Sequence, residues 1–173
     1  ARAVLGVQDP TVAVLSIGEE RGKGNRLVAR ATTLLDDAPF RFVGNVEGHQ
    51  LLLERPADVV VTDGFAGNVL VKGIEGGVHA TTALLRASIS ERLRHKLGAL
   101  LLRTAFSRLR SALGYQARGG APLLGVGGNV VIAHGRSDAT AIAGAIDMAQ
   151  RAVGGGVVEQ LMCGLDGWQG DGG

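Results

Sequence analysis

The sequence is poor in cysteine and in aromatic residues, and it has no long apolar run. Its one cysteine, Cys163, cannot form an internal disulfide, and apolar neighbours predict a buried thiol without a chemical role. Gly or charged residues interrupt every apolar run well short of the ~18 residues that a membrane span needs. No basic segment precedes an apolar one at the start, so we expect neither insertion nor export, and a cytoplasmic location.

The composition is that of a folded chain. Hydrophobic residues make up 46% of its 173 residues and charged residues 20%, which is typical of a globular domain. We expect residues 1–163 to form one α/β domain and the glycine-rich residues 164–173 to form a mobile tail. The chain begins at Ala1 and enters an apolar segment almost at once, which suggests a piece of a longer protein.

Short apolar runs alternate with helical spacing along the chain. Runs that end at Gly or Asp-Gly are typical of strands buried on both faces. The predicted strands are residues 12–17, 41–46, 57–62, 123–126 and 129–133. A long helical pattern runs from Asn68, and Ser137 or Asp138 is the expected N-cap of a helix to residue 153. This order predicts a Rossmann-like α/β fold, with a mostly parallel sheet, flanking helices and a protruding helical hairpin.

The segment after the first predicted strand, residues 18–25, combines glycines with charged side chains just before a helix. Its backbone N–H groups, with Lys23 and Asn25, are suited to bind an anion such as phosphate. Ligands of such sheets bind beyond the carboxyl ends of the strands, where this segment lies. The alternative is a solvated turn in which Glu19 and Glu20 interact with the dipole of the next helix.

A second candidate follows the third predicted strand. Asp63 is expected to order a loop through backbone N–H groups, while Asn68, Lys72 and Glu75 share one face of the helix that follows. Phosphate or oxyanion contacts are predicted for Asn68, Lys72 and the loop residues Gly64, Phe65, Ala66 and Gly67. The alternative is a surface ion pair between Lys72 and Glu75.

A third candidate is the segment from His134 to Asp138. His134 is the preferred group for handling a proton, and Arg136 and Ser137 at a helix start suit an oxyanion. The alternative is a structural histidine. The four histidines are scattered without the spacing of metal ligands, so we expect no metal and no other cofactor.

Five glycine-containing motifs together resemble the acyl-ACP:phosphate acyltransferases of the PlsX type, specifically their carboxyl-terminal half. The motifs are residues 18–25, Val43-Gly44-Asn45-Val46-Glu47-Gly48, residues 63–76, Gly119-Gly120-Ala121-Pro122-Leu123-Leu124-Gly125-Val126 and residues 134–138. The resemblance implies a sheet fold shared with phosphotransacetylases and a substrate-binding role for Asn45 and Glu47. It also implies a reaction in which the acyl thioester of acyl carrier protein (ACP) reacts with orthophosphate to give acyl phosphate and free ACP. This reaction is an early step of phospholipid synthesis.

The family's amino-terminal half has no counterpart in this sequence, and we expect it as a separate chain or as a missing segment. Two other functions stay open. One is a phosphotransacetylase-like enzyme that uses acyl-CoA, and the other is a non-catalytic docking or scaffold module.

Residues 86–118 carry eight Lys or Arg against one acid, a net charge of +7, while the rest of the chain sums to −5. We expect two helices joined near Leu97-Gly98, with a docking surface for acyl carrier protein or an anionic membrane. The docking residues are Leu97, Leu100, Leu101, Leu102, Arg94, Lys96 and Arg103. The alternative is a homodimer core, and both could hold. With Phe106 and Tyr115 as the segment's only aromatics, we expect no nucleic acid partner.

Overall fold

A computed structural model describes residues 1–113, 119–135 and 137–165. In chain order the elements are α1 (Arg2–Leu5), β1 (Thr11–Ser16), α2 (Arg26–Asp36), β2 (Arg41–Glu47), α3 (Gln50–Leu53), β3 (Val59–Val61), α4 (Gly64–Ser90), α5 (Leu93–Leu101), α6 (Arg103–Leu113), β4 (Ala121–Leu123), β5 (Val130–Ile132), α7 (Ala139–Gly154) and α8 (Val157–Leu165). They form two compact units, one from Asp9–Leu113 and one from Ala1–Gln8 with the described residues from 119 onwards. That they make one domain stays a prediction. The predicted tail, apart from Gly164 and Leu165 in α8, lies outside the described residues.

The first unit is built on a parallel sheet with the order β2-β1-β3. β1 is central, and its residues Val12, Ala13 and Val14 are buried. Both neighbours pair with it in parallel, Val12 lying opposite Phe42 of β2 and Val59 of β3. The apolar run of β1 forms a strand buried on both faces, as the sequence predicts, and the α/β class with helices flanking a parallel sheet is confirmed.

Capping side chains set where two helices begin. Asn25 accepts a hydrogen bond from the Val28 N–H at 2.9 Å at the start of α2. Asp63 accepts from Phe65 and Ala66 at the start of α4, which confirms that it orders this segment. The expected loop 64–67 is wrong, because this cap lets the helix begin at Gly64, and the glycines are tolerated within its first turn.

The basic segment differs from the two-helix expectation. Leu97 and Gly98 lie inside α5, and the helices are instead interrupted at Glu91-Arg92 and at Leu102. A single glycine in a helix interior costs only about 1 kcal/mol, so Gly98 does not end α5. The break before α5 is made by Arg92, whose backbone is extended, and His95 Nδ1 then lies 2.9 Å from the Ser88 carbonyl. Residues 86–113, the described part of the segment, therefore belong to three successive helices.

In the second unit, the last two strands form a separate antiparallel pair and do not extend the predicted parallel sheet. β4 and β5 are antiparallel, with Pro122 opposite Val131. The short link between them explains this, because a parallel connection needs a crossover of a dozen or more residues. Asp138 caps α7 by accepting from the Ala141 N–H at 2.9 Å, as predicted.

Close packing in the second unit depends on glycine. Gly119 has a φ of +82°, and a Cβ placed on it would lie 2.1 Å from the Gly144 carbonyl carbon. A side chain at this position would therefore push the start of β4 away from α7. Gly119 and Gly120, which the resemblance places in a family motif, have a packing role here. Cys163 is exposed on α8, so its predicted burial is wrong.

Candidate functional site

The carboxyl ends of the three parallel strands converge at one edge of the first unit's sheet. Segment 17–25 follows β1, Gly48 and His49 follow β2, and Thr62 and Asp63 follow β3. A Cβ on Gly48 would lie 2.9 Å from Leu70 Cδ1, so the segment after β2 packs against α4. Because β2 and β3 flank β1 on opposite sides, this edge has the arrangement in which α/β sheets bind ligands.

Lys23 is the cation that segment 18–25 offers at this edge. Gly18 is buried, and a Cβ on it would lie 2.9 Å from Lys23 Cγ and 3.3 Å from Lys23 Cδ, so the Lys23 stem passes across the bare glycine. Lys23 is itself exposed, and no carboxylate in the described part of the chain forms an ion pair with its ammonium. The neighbouring cation Arg21 is instead paired with Asp36 at 2.8 Å.

Asn25, Asn45 and Glu47, all predicted to bind substrate, have partners within the protein. Asn25 caps α2. Asn45 is buried on β2, where its Nδ2 donates to the Glu20 carbonyl at 3.1 Å and its Oδ1 lies 3.3 Å from Thr32 Oγ1. Glu47 Oε2 lies 3.3 Å from His49 Nδ1. The structure thus brings these residues to the expected edge, with Asn45 inside the fold.

The first turn of α4 has most of its N–H groups occupied. Asp63 Oδ1 accepts from the N–H groups of Phe65 at 2.9 Å and Ala66 at 2.8 Å, and the Asp63 carbonyl accepts from Gly67 at 3.0 Å. An anion at this helix start would compete with the Asp63 carboxylate for the same donors. This geometry makes Gly64, Phe65, Ala66 and Gly67 weaker candidates for phosphate contacts than the sequence indicates.

Asn68 and Lys72 lie on the exposed surface of α4. The Lys72 ammonium pairs with Glu75 Oε2 at 2.9 Å, which is the surface ion pair that the sequence left as the alternative. The Asn68 Nδ2 donates to the Gly64 carbonyl one turn earlier. Both side chains would have to exchange these partners to contact a substrate.

The third candidate group belongs to the second unit. His134 is exposed, and its carbonyl accepts from the Ser137 N–H at 2.9 Å in a turn before α7. Ser137 is half-buried, and Arg136 lies outside the described residues. Their predicted roles in proton transfer and oxyanion binding stay predictions.

The predicted docking leucines are exposed. Leu97, Leu100 and Leu101 are on α5 and Leu102 follows its last residue, with exposed fractions between 55% and 86%. Arg94, Lys96 and Arg103 are exposed nearby, which leaves an apolar surface bordered by cations. We call these four leucines and three cations the α5 surface. Their exposure confirms the prediction for the protomer, and the partner that covers them stays a prediction.

Two residues of this edge were missed by sequence reasoning. Ser16 ends β1, and its Oγ donates to the Lys23 carbonyl at 3.0 Å. Gln50 begins α3, where its Oε1 accepts from the Glu47 N–H at 2.8 Å and its Nε2 donates to Glu19. A polar residue at the end of an apolar strand run was the available signal for Ser16. Gln50 carried no such signal, because its partner in segment 18–25, Glu19, lies 31 positions earlier in the sequence.

The described residues contain neither a cluster of metal ligands nor a helix that could span a membrane. No three of their His, Cys, Asp and Glu side chains are grouped so that they could hold a metal ion. None of their helices combines the length and the apolar character that crossing a membrane requires.

The chain is similar to proteins of one family. The sequence model of the family described as "Fatty acid synthesis protein" matches residues 1–160. A phosphate acyltransferase of Exiguobacterium sp. is 44% identical over 161 residues, which cover 93% of this chain and 49% of that protein. A phosphate acyltransferase of Desulfitobacterium hafniense (strain DSM 10664 / DCB-2) is 42% identical, over 93% of this chain and 48% of that protein. One of Dictyoglomus turgidum is 44% identical, over 94% of this chain and 48% of that protein. The chain thus spans about half the length of these curated relatives, matching their carboxyl-terminal half.

Proposed function

Because the chain belongs to the family of fatty acid synthesis proteins, we propose that it supplies the carboxyl-terminal half of a phosphate acyltransferase. Acyl carrier protein thioester and orthophosphate are the proposed substrates, and acyl phosphate and the free carrier thiol are the products. The observation that carries the proposal is the unpaired Lys23 ammonium at the carboxyl edge of a parallel sheet, in a chain whose relatives bear this enzyme's name.

The proposed reaction is a substitution at the thioester carbonyl. A phosphate oxygen attacks the carbonyl carbon, the new C–O bond forms, and the C–S bond breaks with its electron pair leaving on sulfur. The thiolate takes up the proton that phosphate loses, either directly or through His134. A thiol of pKa about 8.5 is a good leaving group, so the protein's main contribution is to position phosphate and stabilise the oxyanion.

Lys23 is the first phosphate ligand in this proposal, since its ammonium has no ion-pair partner in the described part of the chain. Asn68, Lys72 and the first turn of α4 come second, because the Gly64 carbonyl, Glu75 and Asp63 already accept from their donors. A substrate with more negative charge than a carboxylate can displace these partners, and phosphate is such a substrate.

The α5 surface is proposed to dock the enzyme on the anionic inner face of the cytoplasmic membrane. Leucines provide burial of apolar area, and Arg94, Lys96 and Arg103 provide attraction to anionic headgroups. The same surface has a charge suited to an acidic carrier protein, and a homodimer would cover its leucines. We favour the membrane because exposed leucines with exposed cations nearby provide both apolar burial and attraction to anionic headgroups.

The reaction itself is the direct test of the proposed function. The chain is combined with the amino-terminal half found in the relatives, then given acyl carrier protein thioester and orthophosphate. Acyl phosphate, trapped with hydroxylamine as the hydroxamate, should form in proportion to orthophosphate. Orthophosphate-dependent formation of hydroxamate from acyl-CoA in preference would favour the phosphotransacetylase-like alternative. No orthophosphate-dependent formation from either thioester would favour a docking module.

A further inference from the structure

Three polar residues are buried among the described residues, and all three donate to segment 18–25. Ser16, Asn45 and Gln50 are 8 to 9% exposed. They come from the end of β1, from β2 and from the start of α3. Burying a polar side chain is unfavourable unless it is hydrogen-bonded, so the convergence of all three on one segment indicates that its conformation is closely determined.

Ser16 and Asn45 hold the backbone of the segment. Ser16 Oγ donates to the Lys23 carbonyl at 3.0 Å, and Asn45 Nδ2 donates to the Glu20 carbonyl at 3.1 Å. The Glu20 carbonyl also accepts from the Lys23 N–H at 3.1 Å, which closes a turn. Both ends of this turn are therefore tied to buried strand residues, and the position of the Lys23 backbone is fixed.

Gln50 holds a side chain of the segment. Its Nε2 donates to a Glu19 carboxylate oxygen and lies 3.3 Å from Glu54 Oε2, while its Oε1 accepts from Glu47. Glu19 is the nearest acid in sequence to Gly18, across which the Lys23 stem passes. Glu20 Oε2 also lies beside Gly18, 2.8 Å from the position of an added Cβ. Neither Glu19, which is bound to Gln50, nor Glu20 forms an ion pair with the Lys23 ammonium, and no other described carboxylate does.

We infer that Ser16, Asn45 and Gln50 are positioning residues, which hold segment 18–25 in one conformation and leave the Lys23 ammonium open to a phosphate group. The inference rests on the proposed function. Its physical basis is preorganisation: the entropy of ordering the segment is lost on folding, so it does not have to be lost again when phosphate binds.

Substitution of Ser16 tests the inference in the preparation that contains both halves. Ser16→Ala removes the hydroxyl that fixes Lys23, and we expect the KM for orthophosphate to rise about tenfold with kcat changed less than about twofold. Ser16→Thr keeps the hydroxyl and should restore most of the affinity. The matched control is Thr33→Ala, which removes a hydroxyl bonded within α2 to the Ala29 carbonyl and should leave both constants unchanged.

Hydrogen exchange gives a second readout that does not need activity. Peptides covering residues 18–25 should exchange faster in Ser16→Ala than in the native protein, and orthophosphate should slow their exchange in the native protein. If Ser16→Ala does not fold, Gln50→Met keeps the side-chain volume without the donor and should show the same two effects.

The possible outcomes test the positioning role and the proposed function separately. An unchanged KM and unchanged exchange in a folded variant overturn the positioning role and leave the proposed function standing. A fall in kcat at constant KM also overturns it, because the residue would then act on the chemical step. If the native preparation makes no acyl phosphate, the proposed function fails, and orthophosphate protection of residues 18–25 alone decides whether the segment is an anion site.

Discussion

Thr11 and Asp58 are joined by three hydrogen bonds at the amino ends of β1 and β3. Asp58 Oδ2 accepts from the Thr11 N–H at 2.9 Å and from its hydroxyl at 2.8 Å, and the Asp58 N–H donates to Thr11 Oγ1 at 3.0 Å. The pair connects positions 47 residues apart, next to the pairing of Val12 with Val59. It therefore fixes the register of two strands at the edge opposite the candidate site.

Acid should weaken this pair. The hydrogen bond from the Thr11 N–H, followed by that from its hydroxyl, lowers the pKa of Asp58 below its ordinary value of 3.8. A carboxyl with a lowered pKa in the folded state stabilises above its unfolded pKa, and the effect is lost as the pH falls through the folded value. The urea midpoint of the native protein should exceed that of Asp58→Ala near neutral pH, and the difference should shrink below about pH 4. If the difference in urea midpoint does not depend on pH, the charge of Asp58 does not contribute to the stabilisation.

Lys23 and Lys72 should differ in their effect on phosphate binding. Lys23→Ala removes an ammonium that forms no ion pair in the described part of the chain, and we expect the KM for orthophosphate to rise about tenfold to a hundredfold. Lys72→Ala removes one that already pairs with Glu75, and its effect should be smaller. Steady-state kinetics at varied orthophosphate measures both variants, and a larger effect at Lys72 would reverse the assignment.

Gly18→Ala should weaken phosphate binding through Lys23. The new Cβ would lie 2.8 Å from Glu20 Oε2 and 2.9 Å from Lys23 Cγ, so both side chains must move while the strand can stay in place. We expect a severalfold rise in the KM for orthophosphate, with little change in the thermal midpoint. Gly73→Ala is the matched control, because a Cβ at Gly73 would meet no atom within 4 Å. Equal kinetics in the two variants would contradict the role given to the Gly18 contact.

His134→Gln should lower turnover more than phosphate affinity. If His134 passes a proton to the departing thiolate, its loss should reduce kcat by about 100-fold and remove one arm of the pH–rate profile. The measurement is kcat against pH at saturating orthophosphate. A profile of unchanged shape would return His134 to the structural interpretation.

Leu100 and Leu101 should be needed for membrane binding. Replacing both with Glu introduces two negative charges and removes apolar side chains that are 63% and 86% exposed. The native protein should sediment with liposomes that contain anionic lipid, and the double variant should stay in the supernatant. Circular dichroism should show that the helices of the double variant remain. The control variant is Leu84→Glu, which alters an exposed leucine of α4. Loss of the fold, or dissociation of a dimer, would instead identify the two leucines as interface residues.

The elements that sequence reasoning predicted correctly are those determined by neighbouring residues. The apolar run of β1 and the N-cap of α7 at Asp138, one of the two candidates, follow from local patterns. So do the bonds of Asp63 to backbone N–H groups, although they cap a helix rather than order a loop. The gathering of the carboxyl ends of β1, β2 and β3 at one edge of the sheet also followed, because parallel strands end on the same side.

The features that sequence reasoning missed depend mostly on contacts between residues distant in sequence. Asn45 is bonded to Glu20, 25 positions earlier, so its burial could not be predicted from its own motif. The antiparallel pairing of β4 with β5 was predictable from the short link between them, and the parallel expectation overlooked it. The continuation of α5 through Gly98 reflects how small the helical penalty of a single glycine is.

The length of α4 sets a distance between two parts of the first unit. A helix of 27 residues is about 40 Å long. It begins at the carboxyl edge of the sheet and ends where His95 of α5 contacts Ser88. The length of α4, roughly the thickness of a membrane's hydrocarbon core, therefore separates the start of α5 from this edge of the sheet. Under the proposed function, a reactive product released at the sheet edge would have to travel tens of ångströms to reach a lipid surface bound by the α5 leucines.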